Sequence, residues 1–463
     1  MRDLSRQFVE LQGFRSSGVV LEMEKNYKLE GLYKPQKTDW QSINNIAAFV
    51  LGACCLWPSF GGKTLVVFVA IAVWIATAFL GKYGTFVLSS NNGFMYFGML
   101  GWMLITALMI IVNPEFNAGG LYTGLMTGVI CIETIRNNLI NHDFSAIKTF
   151  AFCSCILYVI VIARALLIGG SDSNVYRLNI TSGFINETIG NFGLYYSVVF
   201  TIPIALFILF DKGCKNKWLA FALLGVSVVL LLFAQYTIAL IIEIATFFVW
   251  LSVAQGTKRE NQKSSIIWIV IIVIVCIVVA VFAEDLLAKP LLKVANSLQE
   301  DSPIKQRLQD LVLLIRGESS DGNLAADRLE RYRDSIMGFF SHPIFGGNIY
   351  SILGIELGGE ITKAGHNSIF EMFRLYGLIF AIPYFMLIFS ILKKILAVWK
   401  KIKIEFYSIL LAVVVAYFML SCLNPIFNLF SMSWLFFNFI LVAPLAFNEK
   451  GLYEKFCMEL SKG

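Results

Sequence analysis

Apolar runs of roughly 17–25 residues, separated by polar stretches, recur along this chain between about residues 43 and 447. They predict membrane-spanning helices over 43–60, 64–81, 93–112, 119–135, 148–168, 190–210, 217–233, 236–254, 265–283, 368–392, 405–422 and 429–447. A helix rises about 1.5 Å per residue, so each run is long enough to cross roughly 30 Å of hydrocarbon. The fourth is diluted by Glu133 and several glycines, and the seventh and eighth are divided only by Gln235 and Tyr236.

One polar stretch breaks the rhythm. Residues 284–366 read as amphipathic helices from Leu287 to Leu298 and Ile304 to Ile315, a polar break at Gly317–Gly322, and a further helix from Ala325 to Phe340. Pro343 and Gly346–Gly347 mark a turn, and a glycine-rich stretch leads on to His366. The organisation expected is an arm over 1–42, helices one to nine over 43–283, the loop over 284–366, helices ten to twelve over 367–447, and a tail over 448–463. The fold class is therefore an all-α polytopic membrane protein of about twelve spans, with the large helical loop between helices nine and ten.

Composition agrees with that pattern. Of 463 residues, 57% are hydrophobic and only 15% charged, more apolar surface than soluble domains could hide. The nine cysteines sit mostly in or beside apolar runs, and their spacing resembles neither a disulfide scaffold nor a zinc site. The net charge of +6 is no nucleic-acid footprint, because the basic residues gather beside the spans. With the N-terminus inside, the inner loops carry Lys82, Arg136, Lys148, Lys212, Lys215, Lys217, Lys258, Arg259, Lys263, Lys394, Lys400, Lys401 and Lys403. The short outer loops carry only Lys63 and Arg177. Both termini are thus expected in the cytoplasm and the long loop outside.

The inner loops are too short for a nucleotide-binding domain, and the chain has no P-loop, no Asp-x-Asp pair and no dinucleotide fingerprint. Chemistry is then confined to the membrane or its outer face, driven by an ion gradient or by a substrate already activated. The polar residues available there are Arg177, the run Arg328–Ile336, His342, and the run from His366 to Gly377 with Asn367 and Arg374. Arg164 and Glu243 fall in the outer halves of their predicted helices, where an ionisable group calls for a cavity or an ionic partner, including each other. Arg331 and Arg333 read instead as partners of Glu330 or Asp334 on a solvated face.

Taken in order, Arg328, Tyr332, Pro343, Phe345, Gly346, His366, Asn367 and Gly377 resemble the shared domain of the O-antigen polymerase and O-antigen ligase family. Arg177 and Gly183 resemble that family's earlier arginine motif. The chain departs at Tyr332, where tryptophan is usual, and at Asn348, where a second glycine is common. The resemblance implies a bacterial inner-membrane enzyme that joins undecaprenyl-pyrophosphate-linked repeat units of O-antigen, capsule or a related polysaccharide at the periplasmic face. It implies Arg177 and Arg328 as holders of the pyrophosphate and His366 as general base. Asn367 and Arg374 beside that histidine, and Arg164 and Glu243 in their helices, are further substrate-binding candidates. The implied partners are a lipid-linked donor and acceptor, membrane lipid and a chain-length regulator protein, with no nucleic acid, metal or cofactor. Guanidinium groups suit phosphate, because they bind it bidentately and keep their proton. Two rival readings stand beside this one: a ligase that passes the same glycan to lipid A core, and a secondary transporter or flippase. A non-enzymatic scaffold for envelope assembly is a third.

Overall fold

The computed structural model describes residues 39–57, 63–81, 118–170, 195–234, 237–258, 289–299, 324–354, 368–423, 430–447 and 451–461, with some positions inside 101–112 and 302–312. All regular structure among these residues is helical. In chain order the helices are α1 Asp39–Leu56, α2 Lys63–Leu80, α3 Ala118–Ile140, α4 Phe144–Gly169, α5 Val198–Phe210, α6 Lys217–Ala234, α7 Thr237–Lys258, α8 Lys289–Ser297 and α9 Leu324–Ser341. They continue as α10 Gly346–Ile352, α11 Ser368–Ile402, α12 Ile404–Leu423, α13 Phe430–Asn438, α14 Ala443–Ala446 and α15 Leu452–Ser461. Three of them, α4, α11 and α12, are long and apolar enough to cross a membrane, and several shorter apolar helices accompany them. The expected helix over 265–283 and most of that over 93–112 lie outside the described residues.

Three boundaries differ from expectation for physical reasons. α1 begins at Asp39, within the expected arm, because Gln41 and Asn44 are buried in polar contacts rather than solvated. α11 runs ten residues past the expected 392, through Lys393 and Lys394, because Ile395, Val398 and Trp399 of its last turns are buried. The expected single helix over 429–447 is broken: α13 ends at Asn438, a 3-10 turn covers Ile440–Val442, and Pro444 opens α14. Proline cannot donate the backbone bond a continuous helix requires, but it fits a first turn.

The core is aromatic. The Tyr417 ring of α12 stacks on Phe436 of α13 at 3.9 Å between centroids. Trp434 lies against Gly52 of α1, where any Cβ would collide with the indole, and donates to Ser154 Oγ of α4 at 3.0 Å. Trp399 donates to the Leu441 carbonyl at 2.8 Å, which satisfies its buried N–H within the bundle.

One end of the bundle is tied by polar side chains. Asn44 of α1 donates to Thr77 Oγ1 of α2 at 3.0 Å and to the Trp74 carbonyl at 2.9 Å. Gln41 donates to Asn138 Oδ1 of α3 at 3.0 Å, and Asn141 donates to Gln41 Oε1 at 3.3 Å. Asp143 caps α4 by accepting from the Ala146 N–H, and its other oxygen accepts from Asn45 at 3.2 Å. Arg136 pairs with Glu133 at 3.4 Å, both buried.

Basic side chains collect at this end. Lys148 lies 5.6 Å from the Tyr453 ring centroid, Lys401 pairs with Glu459 at 3.3 Å, and Lys403 pairs with Asp211 at 2.7 Å. α9 and α10 pack at the other end, against the first turns of α11.

Candidate functional site

Four of the residues that carry the sequence resemblance, Pro343, Phe345, Gly346 and Gly377, lie where α9, α10 and α11 converge. α11 is interrupted at Gly377, whose backbone (φ +61°, ψ −176°) is not helical. The interruption exposes the next N–H groups as a helix start would. The turn after α9 fills the gap: the Pro343 carbonyl accepts from the Leu378 N–H at 2.8 Å, and the Ile344 carbonyl accepts from the Ile379 N–H at 3.1 Å. Gly346 (φ +74°) closes the turn by donating to the His342 carbonyl at 3.0 Å. The His342 ring itself lies 4.3 Å from Tyr350 and takes no part in the docking bonds.

One layer deeper, Glu371 of α11 is the hub. It accepts from Arg374 Nε at 2.9 Å and pairs with Arg374 Nη2 through its second oxygen. Ser335 of α9 donates to the same carboxylate at 3.1 Å. The aliphatic stem of Arg374 runs across Gly338, where a Cβ would stand 2.9 Å from its Cγ and Cδ. Phe339 meets Phe373 edge to face at 5.7 Å. Successive contacts therefore pair 335 with 371 and 338 with 374, so α9 runs parallel to the start of α11.

Of the residues expected to act, Arg374 is held in this layer. Arg328 lies in α9, two turns before Ser335, but its side chain falls outside the described residues, as do Arg177, His366 and Asn367 entirely. Arg164 stands apart, near the C-terminal end of α4. Its guanidinium faces the Trp57 ring at 5.6 Å, and its buried Nη1 has no hydrogen-bond partner. Arg164 and Glu243 do not pair with each other. Glu243 lies in a cavity between α5, α7 and α12, whose lining runs to Asp211 and Lys403 at the basic end. Burial alone would raise the Asp211 carboxyl, but hydrogen bonds from Lys403 and Cys214 outweigh it and hold the group below the usual aspartate range.

Sequence reasoning passed over Ser335 and Glu371. The signal for Glu371 was present, since a carboxylate three residues before Arg374 on one helix face reads as an ion pair. Nothing in the sequence singled out Ser335. No protein-family model matches the chain, and no curated protein matches it.

Proposed function

We propose that the chain is a metal-independent membrane glycosyltransferase that polymerises undecaprenyl-pyrophosphate-linked repeat units at the outer face of the bacterial inner membrane. In this reading it spans the bilayer about twelve times with both termini inside. The observation that carries the proposal is the docking of Pro343–Gly346 onto the break at Gly377. Pro343–Gly346 and Gly377, some thirty residues apart in sequence and both part of the pattern that resembles the polymerase and ligase family, are joined by backbone hydrogen bonds to Leu378 and Ile379. The gathering of Lys148, Lys401 and Lys403 at the end opposite α9 and α10 supports an outer position for that unit.

The chemistry is a displacement at the anomeric carbon. An acceptor hydroxyl attacks, His366 removes its proton, and the bond to the lipid pyrophosphate breaks as the new glycosidic bond forms. Arg177 and Arg328 hold the departing pyrophosphate and balance the charge that gathers on it. The parallel register of α9 and α11 supports the use of Arg328, since it sets the turn of α9 that carries this residue beyond the Ser335–Glu371 contact, on the side of the N-terminal end of α11. Arg374 is neutralised by its bidentate pairing with Glu371, so it orders that end of the site without adding net charge. Glu243 lies in the separate cavity of α5, α7 and α12, so this reading assigns it no contact with the pyrophosphate.

The test uses purified full-length protein and lipid-linked repeat units. Wild type is expected to yield a ladder of longer glycans and free undecaprenyl pyrophosphate. His366→Asn is expected to lose roughly 10²–10⁴-fold in rate, since asparagine can cap a helix but cannot act as a base. Near-normal turnover of that variant would discard the base. Transfer only to added lipid A core would identify a ligase, and absence of any transfer would overturn the enzymatic reading.

A further inference from the structure

The cavity around Glu243 is separate from the α9–α11 unit and shares no residue with it. It encloses about 710 Å³ between α5, α7 and α12, within the range of small-molecule sites. Its height follows from the helices: Leu251 lines it near the basic end and Glu243 lines it eight residues earlier on α7, a rise of about 12 Å. Pro203 of α5 stands among the lining residues beside Glu243 and Ala412.

The walls are aromatic and the polar groups mostly acidic. Phe207, Phe247 and Trp250 face the space, and Phe247 and Trp250 pack ring to ring at 5.6 Å. Asp211 and Lys403 close one end and neutralise each other through their 2.7 Å ion pair. Lys403 also lies 5.7 Å from the Phe207 ring, so a cation already rests on one aromatic wall of this space. That leaves Glu243, and exposed Glu405 at the rim, as acids without a matching cation among the described lining residues. Glu243 Oε2 is buried and accepts no hydrogen bond, although a buried carboxylate oxygen ordinarily does.

We propose that this cavity is a binding site for a lipophilic organic ammonium ion. Its charge would rest against the Glu243 carboxylate, and its apolar body against Phe247 and Trp250. A carboxylate framed by aromatic faces is the recognition chemistry of substituted ammonium groups, because both the charge and the ring quadrupoles attract the cation. Among the described lining residues near Glu243, the Thr246 hydroxyl already donates to the Ile242 carbonyl, so an anion or a sugar finds no free donor there. A plain hydrocarbon chain would fill the space but leave the buried oxygen unpartnered. Phe247 is half exposed on the outer surface of the bundle, which lets a membrane-dissolved amphiphile enter from the side.

The test is equilibrium dialysis of tetraphenylphosphonium against full-length protein in uncharged maltoside micelles, with empty micelles as blank. This probe shares with a substituted ammonium a single positive charge inside an apolar shell, and so reports the recognition by carboxylate and rings. Saturable binding of one ion per chain is expected, weakened at least tenfold in Glu243→Gln. Glu405→Gln, at the rim, is expected to change it less than twofold. Ala412→Phe, which fills the cavity while leaving its charged residues in place, should abolish binding, and thermal melts of each variant report whether it has folded. Equal affinity in wild type and a folded Glu243→Gln protein would overturn the proposal. So would saturable binding of an uncharged tetraphenyl analogue with the same affinity.

Discussion

Gly346 and Gly377 stand back to back, each in the left-handed region and each occupying the space where the other's Cβ would go. A Cβ on Gly377 would lie 2.5 Å from the Gly346 nitrogen, and one on Gly346 would press on the Leu375 backbone. The obstruction on both sides is backbone, which cannot rotate away as a side chain can.

Alanine at either position should therefore do more damage than backbone strain alone. A left-handed alanine costs about 1–2 kcal/mol, and Gly354→Ala, where φ is +68° and nothing stands within 4 Å, should cost no more than that. Gly346→Ala and Gly377→Ala should cost clearly more and free α9 and α10 from α11. Thermal melts in detergent, with limited proteolysis after Ser341, check the difference; equal effects at all three sites would refute the docking.

Ser335 and Glu371 make a graded pair of substitutions. Ser335→Ala removes one neutral donor and should cost about 1 kcal/mol. Glu371→Gln strips a half-buried arginine of its counter-charge and should cost about 3–5 kcal/mol, the range for breaking a buried ion pair from one side. Melting temperatures rank the two, and a larger loss in Ser335→Ala would contradict the hub role of Glu371.

The Asp211–Lys403 contact should respond to pH in one direction. The folded aspartate titrates below its ordinary value, so its contribution is complete above about pH 4, the ordinary aspartate value, and fades as pH falls through the depressed folded one. A double-mutant cycle with Asp211→Asn and Lys403→Met should give a coupling of about 1–3 kcal/mol at neutral pH. The coupling should shrink in acid; a pH-independent coupling would show that the pair does not carry it.

For the proposed reaction, lysine at position 177 or 328 should rescue poorly, because a point charge cannot hold two phosphate oxygens at once. Arg331→Ala and Arg333→Ala should be mild. Polymer length and amount in cells give the readout, and an unchanged product in Arg328→Ala at normal expression would remove Arg328 from the site.

Orientation is open to direct measurement. A reporter fused after Lys263 should be exposed to the cytoplasm, and one near Gly322 to the periplasm. A cytoplasmic reporter at Gly322 would place the candidate site on the wrong side of the membrane for lipid-linked repeat units.

Much of the helical pattern was legible from hydropathy, since a run of apolar residues long enough to cross lipid must satisfy its own backbone. α6 and α7 illustrate this, with starts at Lys217 and Thr237 against expected starts at 217 and 236. Hydropathy failed where tertiary burial outweighed local polarity. Lys393 and Lys394 mark no helix end, because the residues beyond them bury Trp399. The tie among Gln41, Asn44, Thr77 and Asn138 was invisible because its members come from three separate helices. Each looks like an interfacial polar residue on its own. Ser335 escaped for the same reason, while Gly346 and Gly377 were marked by the family pattern without any hint that they touch.

That tie among α1, α2 and α3 has an electrical consequence. Moving one elementary charge through 100 mV involves roughly 2.3 kcal/mol, so a joint that held an unpaired charge would feel the membrane voltage. Gln41, Asn44, Thr77, Asn137 and Asn138 hold their helices together with dipoles that carry no net charge. These contacts offer a membrane voltage no charge to pull on, so any voltage response at this end would have to act through its charged neighbours, Asp143 and the Arg136–Glu133 pair.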